Sequence, residues 1–122
     1  GACVVALGTT YSGFYATNDD TASRFASALK QSGEQMWRMP LVEELREQLK
    51  SECADLKHTG DRYGGSISAA LFLREFIGKT KNWVHADIAG PASTERPYHW
   101  HGKGATGHGV LTFLALVERA SK

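Results

Sequence analysis

The sequence is poor in the residues that announce a chemistry. Only two cysteines, Cys3 and Cys53, occur in 122 residues, and they stand far apart. They offer no metal or redox spacing and, with no signal-peptide pattern beside them, read as two reduced thiols of a cytoplasmic protein. No apolar run approaches the ~18 residues a membrane span needs, so a membrane is not among the expected partners. Charge of one sign is missing too: 14 basic residues lie among 13 acidic ones, for a net charge of +1. That balance gives no electrostatic case for nucleic acid or an acidic membrane surface. There is no Gly-x-Ser-x-Gly elbow and no Gly-x-Gly-x-x-Gly after a strand, and repeats, low-complexity tracts and interdomain linkers are also missing.

What is present is enough for one domain, able to bury roughly two thirds of its unfolded surface. Trp83 to Gly90 reads as a buried strand, closed by Gly90-Pro91, around which the chain is organised. Ser66 to Ile77 can cover it. Ile67, Ala70, Leu71 and Arg74 keep helical spacing, Ala69, Phe72, Leu73 and Phe76 widen the apolar surface, and Gly78 falls where a left-handed cap belongs. An apolar helix feeding a short strand implies an α/β layer rather than a bundle.

Earlier in the chain, Ala2 to Leu7 fits either a short helix or a strand, and Tyr11 to Ala16 alternates as a strand. Asn18-Asp19-Asp20 is an N-cap cluster ahead of Ala22, Phe25, Ala26 and Leu29, and Gly33 closes that helix. Trp37 to Met39 reads as a strand ended by Pro40. A helix carrying Leu41, Leu45 and Leu49 follows, with Glu43 and Glu44 early and Lys50 late, as its dipole prefers. Ala54 to Lys57 is a short strand candidate, and Thr59 to Gly65 a loop. Pro91 to Gly109 is long and irregular, of the kind that is functional or buried in an assembly. Val110, Phe113, Leu114 and Val117 then space an amphipathic helix.

Three constellations invite chemistry. His99, His101 and His108 could ligate zinc, but no carboxylate or thiol completes a known pattern, so they read as loop or interface histidines. His85 and Asp87 alternate on one strand face, as a catalytic pair or, more simply, a buried hydrogen-bonded structural pair. Gly102 to Gly109 before a helix fails the Walker pattern, because Lys103 is followed by Gly104. Its glycines either offer amides to an anion or permit close packing, and packing is the favoured reading. By this chemistry alone the chain holds no self-sufficient active site.

Several stretches taken together are specific. Gly1 to Gly8, Ser32 to Leu41, Ala54-Asp55-Leu56, Gly64 to Leu73, Trp83 to Gly90 and Lys103 to Gly107 resemble the leucyl (cytosol) aminopeptidase family, in the family's order, over essentially the whole chain. The resemblance implies part of an α/β/α sandwich with a mixed sheet flanked by helices. It implies a metallo-exopeptidase that removes N-terminal residues, leucine preferentially, from peptide substrates. Two divalent metal ions, zinc with manganese or magnesium able to substitute, would activate a bridging water. It also implies a cytoplasmic homohexamer.

The family's metal ligands and catalytic lysine match no residue of this chain, so it is expected to supply pocket wall and core, with no catalytic and no metal residues. Gly1, Ala89 and Ala92 would line the pocket for the first side chain, Gly1 also presenting a backbone amide, and Thr59 would face the second pocket. The apolar opening without an initiator Met is read as the tail of a longer protein: residues 1–122 would be the C-terminal portion of one catalytic domain, incomplete at its N-terminal side, with the upstream part of the same protein as its partner. His58, Gly60-Asp61-Arg62-Tyr63 and the aromatic Ser93 to Gly102 depart from the family pattern. The alternative is a non-catalytic scaffold or pseudoenzyme segment serving oligomer assembly. DNA binding, a third reading, lacks the basic groove it needs.

Overall fold

Ser12–Ala16 forms β1, and the computed structural model, described over residues 1–121, is built around it. All five residues of β1 are buried. It lies between β2 (Met36–Arg38), parallel to it, and β3 (Val84–Asp87), antiparallel to it, in the order β2-β1-β3. This corrects the expectation that Trp83 to Gly90 is the buried centre. The strand there is shorter, stands at the margin of the sheet, and its residues are only half-buried. Bulky strand formers gave the right element; pairing on one side only left it partly open.

Period two along β1 sends alternate residues to opposite faces, each with its own helical layer. Phe14 and Ala16 join Met36 and the helix residues Ala22, Phe25 and Leu29 in one core, with Val84, Ala86, Ile88 and Leu116 packed against it. The helices of this layer are α2 (Asp19–Ser32) and α4 (Val110–Ala120). Gly13 and Tyr15 face α1 (Ala2–Leu7) and α3 (Gly65–Arg74): Cys3 of α1 sits over Gly13, and Tyr15 bonds Ser66 of α3. The result is a mixed sheet between two helical layers, as expected. Among the described residues, no helix is long and apolar enough to cross a membrane.

The caps explain where the best-defined helix starts and stops. The Asn18 side chain accepts the Thr21 amide at 2.8 Å, and Gly33 closes α2 in a left-handed conformation at φ 77°. The ambiguous Ala2 to Leu7 run is helical. The α3 helix ends at Arg74, before the expected Ile77, because the amides of Glu75, Phe76 and Ile77 bond three residues back and tighten the turn. Gly78 is left-handed, but beyond the helix.

Three further expectations are corrected. Leu41, Leu45 and Leu49 do not define an α-helix; Glu43–Leu49 is 3₁₀. At three residues per turn, Glu43, Arg46 and Leu49 share a face, and that face meets α3: Glu43 pairs with Arg74, Arg46 with Glu75, and Leu49 is buried. Ala54 to Lys57 forms no strand; it is irregular, fastened by the Lys57 amide to the Leu49 carbonyl at 2.8 Å. The irregular stretch after Pro91 contains a small hairpin, β4 (Ser93–Thr94) with β5 (Gly104–Ala105), and a bridge between Tyr98 and His101.

Candidate substrate-pocket wall

The four expected pocket residues lie on separate stretches of chain. Gly1 is exposed at the start of α1, and its carbonyl accepts the Val5 amide. Thr59 is exposed in the loop before α3, beside Gly60. Ala89 is exposed and Ala92 half-buried on the turn after β3, where the Ala92 amide bonds the Ile88 carbonyl.

That turn is pressed onto the turn leaving α1. A Cβ on Gly90 would lie 2.7 Å from the Gly8 carbonyl oxygen and 3.2 Å from that of Tyr11. The Ala89–Ala92 turn therefore sits by the C-terminal end of α1. The hairpin secures its other side, since Thr106 donates its amide to the Ala92 carbonyl and its hydroxyl to that of Pro91.

Beneath this wall runs a buried polar chain. Tyr15 Oη donates to Ser66 Oγ at 2.7 Å, and Ser66 Oγ donates to Asp87 Oδ2 at 2.6 Å. Burial, reinforced by the nearby Cys3 and Asp87 charges, pushes the Tyr15 phenol up to about 12. Burial followed by the Asp87 charge raises the Cys3 thiol as well. The Tyr15 phenol is thus held as a neutral donor. His85 does not bond Asp87, contrary to the structural-pair expectation. Its ring lies between Tyr15 and Trp83, with centroids 5.9 and 6.0 Å away, and burial lowers its pKa against the opposing pull of Asp87.

The loop histidines are not brought together as ligands either. His99 stands in a left-handed backbone at φ 53° between the Tyr98 and Trp100 rings, whereas His108 Nε2 meets the buried Ser12 hydroxyl at 2.9 Å. Burial lowers the His108 pKa, with Glu34 opposing. A cleft of about 820 Å³ lies between this loop and Thr9, Thr10 and Pro91, but it includes none of Gly1, Thr59, Ala89 or Ala92. Among the described residues, no three His, Cys, Asp or Glu side chains come together to hold a metal ion.

The glycine-rich approach to α4 is also corrected. Close packing does not explain it, since a Cβ on Gly102, Gly104 or Gly107 meets nothing within 4 Å. Gly104, Gly107 and Gly109 have positive φ, and the amides that open α4 do bind an anion: the protein's own Glu34 carboxylate. Glu34 accepts from the amides of Gly109 at 2.7 Å and Thr112 at 3.0 Å and from the Thr112 hydroxyl. Sequence reasoning missed this cap because its partners are 75 and 78 residues away, beyond any local signature. Helical spacing puts Ser66 at the start of α3 but carries no trace of its bonds to Tyr15 and Asp87; a serine in the first turn of an otherwise apolar helix is the available signal.

The fold and the wall together define a layered α/β protein carrying small residues on separate stretches of chain, with no metal-ligand set among the described residues. Residues 1–114 match the cytosol aminopeptidase family, catalytic domain. A probable cytosol aminopeptidase of Koribacter versatilis is 49% identical over 118 residues, 97% of this chain and 23% of the relative. A tomato leucine aminopeptidase mutant is similar over 98% of this chain and 23% of its own, with TM-score 0.87 and 42% identity. A bottromycin maturation enzyme, BotP, in complex with Mn, covers the whole chain with TM-score 0.93 and 35% identity, over 27% of its own length. This chain belongs to the cytosol aminopeptidase family, and it spans about a quarter of the length of the curated relatives it matches.

Proposed function

We propose that this chain forms substrate-pocket wall in a metal-dependent aminopeptidase that releases N-terminal residues, leucine preferentially, from peptides. The observation that carries the reading is the agreement with tomato leucine aminopeptidase in sequence and backbone at once, over nearly the whole chain. Gly1, Ala89 and Ala92 would bound the pocket for the first side chain, and Thr59 the second. Hydrogen and methyl side chains leave room for an isobutyl group between them.

Among the described residues, no cluster of His, Cys, Asp or Glu fits a metal centre. Ligands for two divalent ions, zinc or manganese or magnesium, are therefore assigned to a part of the enzyme outside this chain. In this proposal residues 1–122 are the C-terminal portion of the catalytic domain, and the complete enzyme is a homohexamer of the cytoplasm. The naming of the relatives as cytosol aminopeptidases supports the last point.

The test uses leucine p-nitroanilide with zinc or manganese supplied and intact mass checked. The chain alone is expected to be inactive. The Koribacter versatilis relative, with its matching segment replaced by this chain, is expected to turn over. A folded, metal-loaded graft without turnover overturns the reading and favours a scaffold serving assembly. Metal-dependent turnover by the chain alone overturns it differently and returns attention to His85, Asp87 and the His99 to His108 loop.

A further inference from the structure

The four proposed pocket residues sit on three stretches of chain, and each stretch lies against the first turn of α3, the one before Ala89 being hydrogen-bonded to it. Gly65 opens that helix, and a Cβ there would lie 3.2 Å from Ala2 Cβ, so the start of α1, and with it Gly1, is seated against α3. Ser66 holds Asp87 at 2.6 Å, just before Ala89, and is itself held by Tyr15 at 2.7 Å. Ser68 closes the third contact: a Cβ on Gly60, next to Thr59, would lie 2.6 Å from Ser68 Oγ. Tyr15, Ser66 and Ser68 are all buried.

The helix is a firm support. Ala70 and Leu71 are fully buried, and Arg74 at its far end donates to Glu43 at 2.8 Å. A pocket lined by glycine and alanine has no long side chain to readjust, so its width is set by where the backbones stand. Those positions are referred to one helix turn.

We infer that Gly65 and Ser66 set the width of the pocket for the first side chain, through Gly1 and through Ala89 and Ala92, and thereby select which N-terminal residue is released, while Ser68 seats Thr59 at the second pocket. The inference rests on the aminopeptidase reading. The three are positioning residues, reaching substrate only through Gly1, Thr59, Ala89 and Ala92.

The test takes the active graft through leucine and alanine p-nitroanilides. Ser66→Ala removes the tether to Asp87 and is expected to lower the leucine-to-alanine ratio of kcat/KM about tenfold, the scale of a misfitted methylene, mainly through KM. Asp87→Asn keeps an oxygen for Ser66 and is expected to hold the ratio within about twofold. An unchanged ratio in Ser66→Ala, or an equal loss of kcat on both substrates, overturns the inference while leaving the aminopeptidase reading intact. Hydrogen exchange gives a readout that needs no activity. Ser66→Ala is expected to speed exchange at residues 88–92 while β1 stays protected, and no change at 88–92 likewise overturns it. A silent unmutated graft refutes the aminopeptidase reading instead.

Discussion

Replacing Glu34 tests whether a carboxylate remote in sequence truly starts α4. That helix has no side-chain cap of its own, because its N-cap is Gly109. Glu34 supplies three acceptor contacts to the Gly109 amide, the Thr112 amide and the fully buried Thr112 hydroxyl. Losing an N-cap costs about 0.5–2 kcal/mol, and bonds to a charged group contribute about 1.5–3 kcal/mol each. One carboxylate serves all three bonds, so they do not add, and the Thr112 hydroxyl keeps Ser32 Oγ at 2.8 Å. Glu34→Ala is therefore expected to cost about 2–4 kcal/mol, and Glu34→Gln, which retains one acceptor oxygen, about half of that. Urea unfolding followed by circular dichroism at 222 nm reads this directly. With a slope of roughly 1–3 kcal/mol per molar, Glu34→Ala moves the midpoint by about 0.7–4 M at constant slope. A shift below about 0.5 M, or a glutamine variant as unstable as the alanine one, refutes the cap.

Gly90→Ala meets the backbone oxygens of Gly8 and Tyr11, which cannot yield as side chains do, and is expected to cost about 1–3 kcal/mol in the same urea assay. His85 and His108 both have folded pKa values below 6.5, so the unfolded chain binds more protons. Stability is then complete above about pH 6.5 and declines as pH falls from there through the folded values. His108→Gln should flatten part of that slope, and an unchanged slope contradicts the assignment. Tyr15, raised to about 12, should ionise well above the ordinary tyrosine range in an absorbance titration at 295 nm. Its contribution to stability is present below pH 10 and lost as pH rises towards 12. Leu114→Lys on the exposed face of α4 should shift stability by no more than about 0.5 kcal/mol in the urea assay.

Features governed by neighbours in sequence were legible. Asn18 and Gly33 bracket α2 because a cap is a matter of a few adjacent residues. The alternation of β1 and the strand character around Val84 also came through. Features governed by distant partners were not. The 3₁₀ geometry of Glu43–Leu49 follows from pairing with Arg74 and Glu75, and leucines at spacing four carry no trace of those partners. The pocket residues came from family resemblance, since Gly1, Thr59, Ala89 and Ala92 have no chemistry of their own to recognise. The tethers beneath them depend on Ser66, Ser68 and Gly60 meeting across the fold, which no periodicity encodes.

The rotation of α4 shows why such polar contacts outrank pattern. Hydrophobic spacing alone would turn Val110, Phe113, Leu114 and Val117 inward. Instead these residues are 64%, 40%, 53% and 62% exposed, and Thr112 and Ala115 face the core. Burying an aliphatic side chain is worth about 1.5–3 kcal/mol, so something must fix the helix against that gain. Glu34 and Ser32 do so: both bond Thr112, and a helix can present Thr112 to α2 in only one rotation. Ala115, one turn on, allows close approach to α2, and Phe113 still reaches Phe25 with ring centroids 5.6 Å apart. The apolar stripe left outside continues into a groove along β3, lined by Val84, Ala86, Ile88, Val110 and Phe113, beside the edge of β3 that β1 leaves unpaired. A helix face and a strand edge that are open on the same side share one physical requirement, which is cover by further apolar structure. The polar contacts at Thr112 hold that surface in place, ready to be covered.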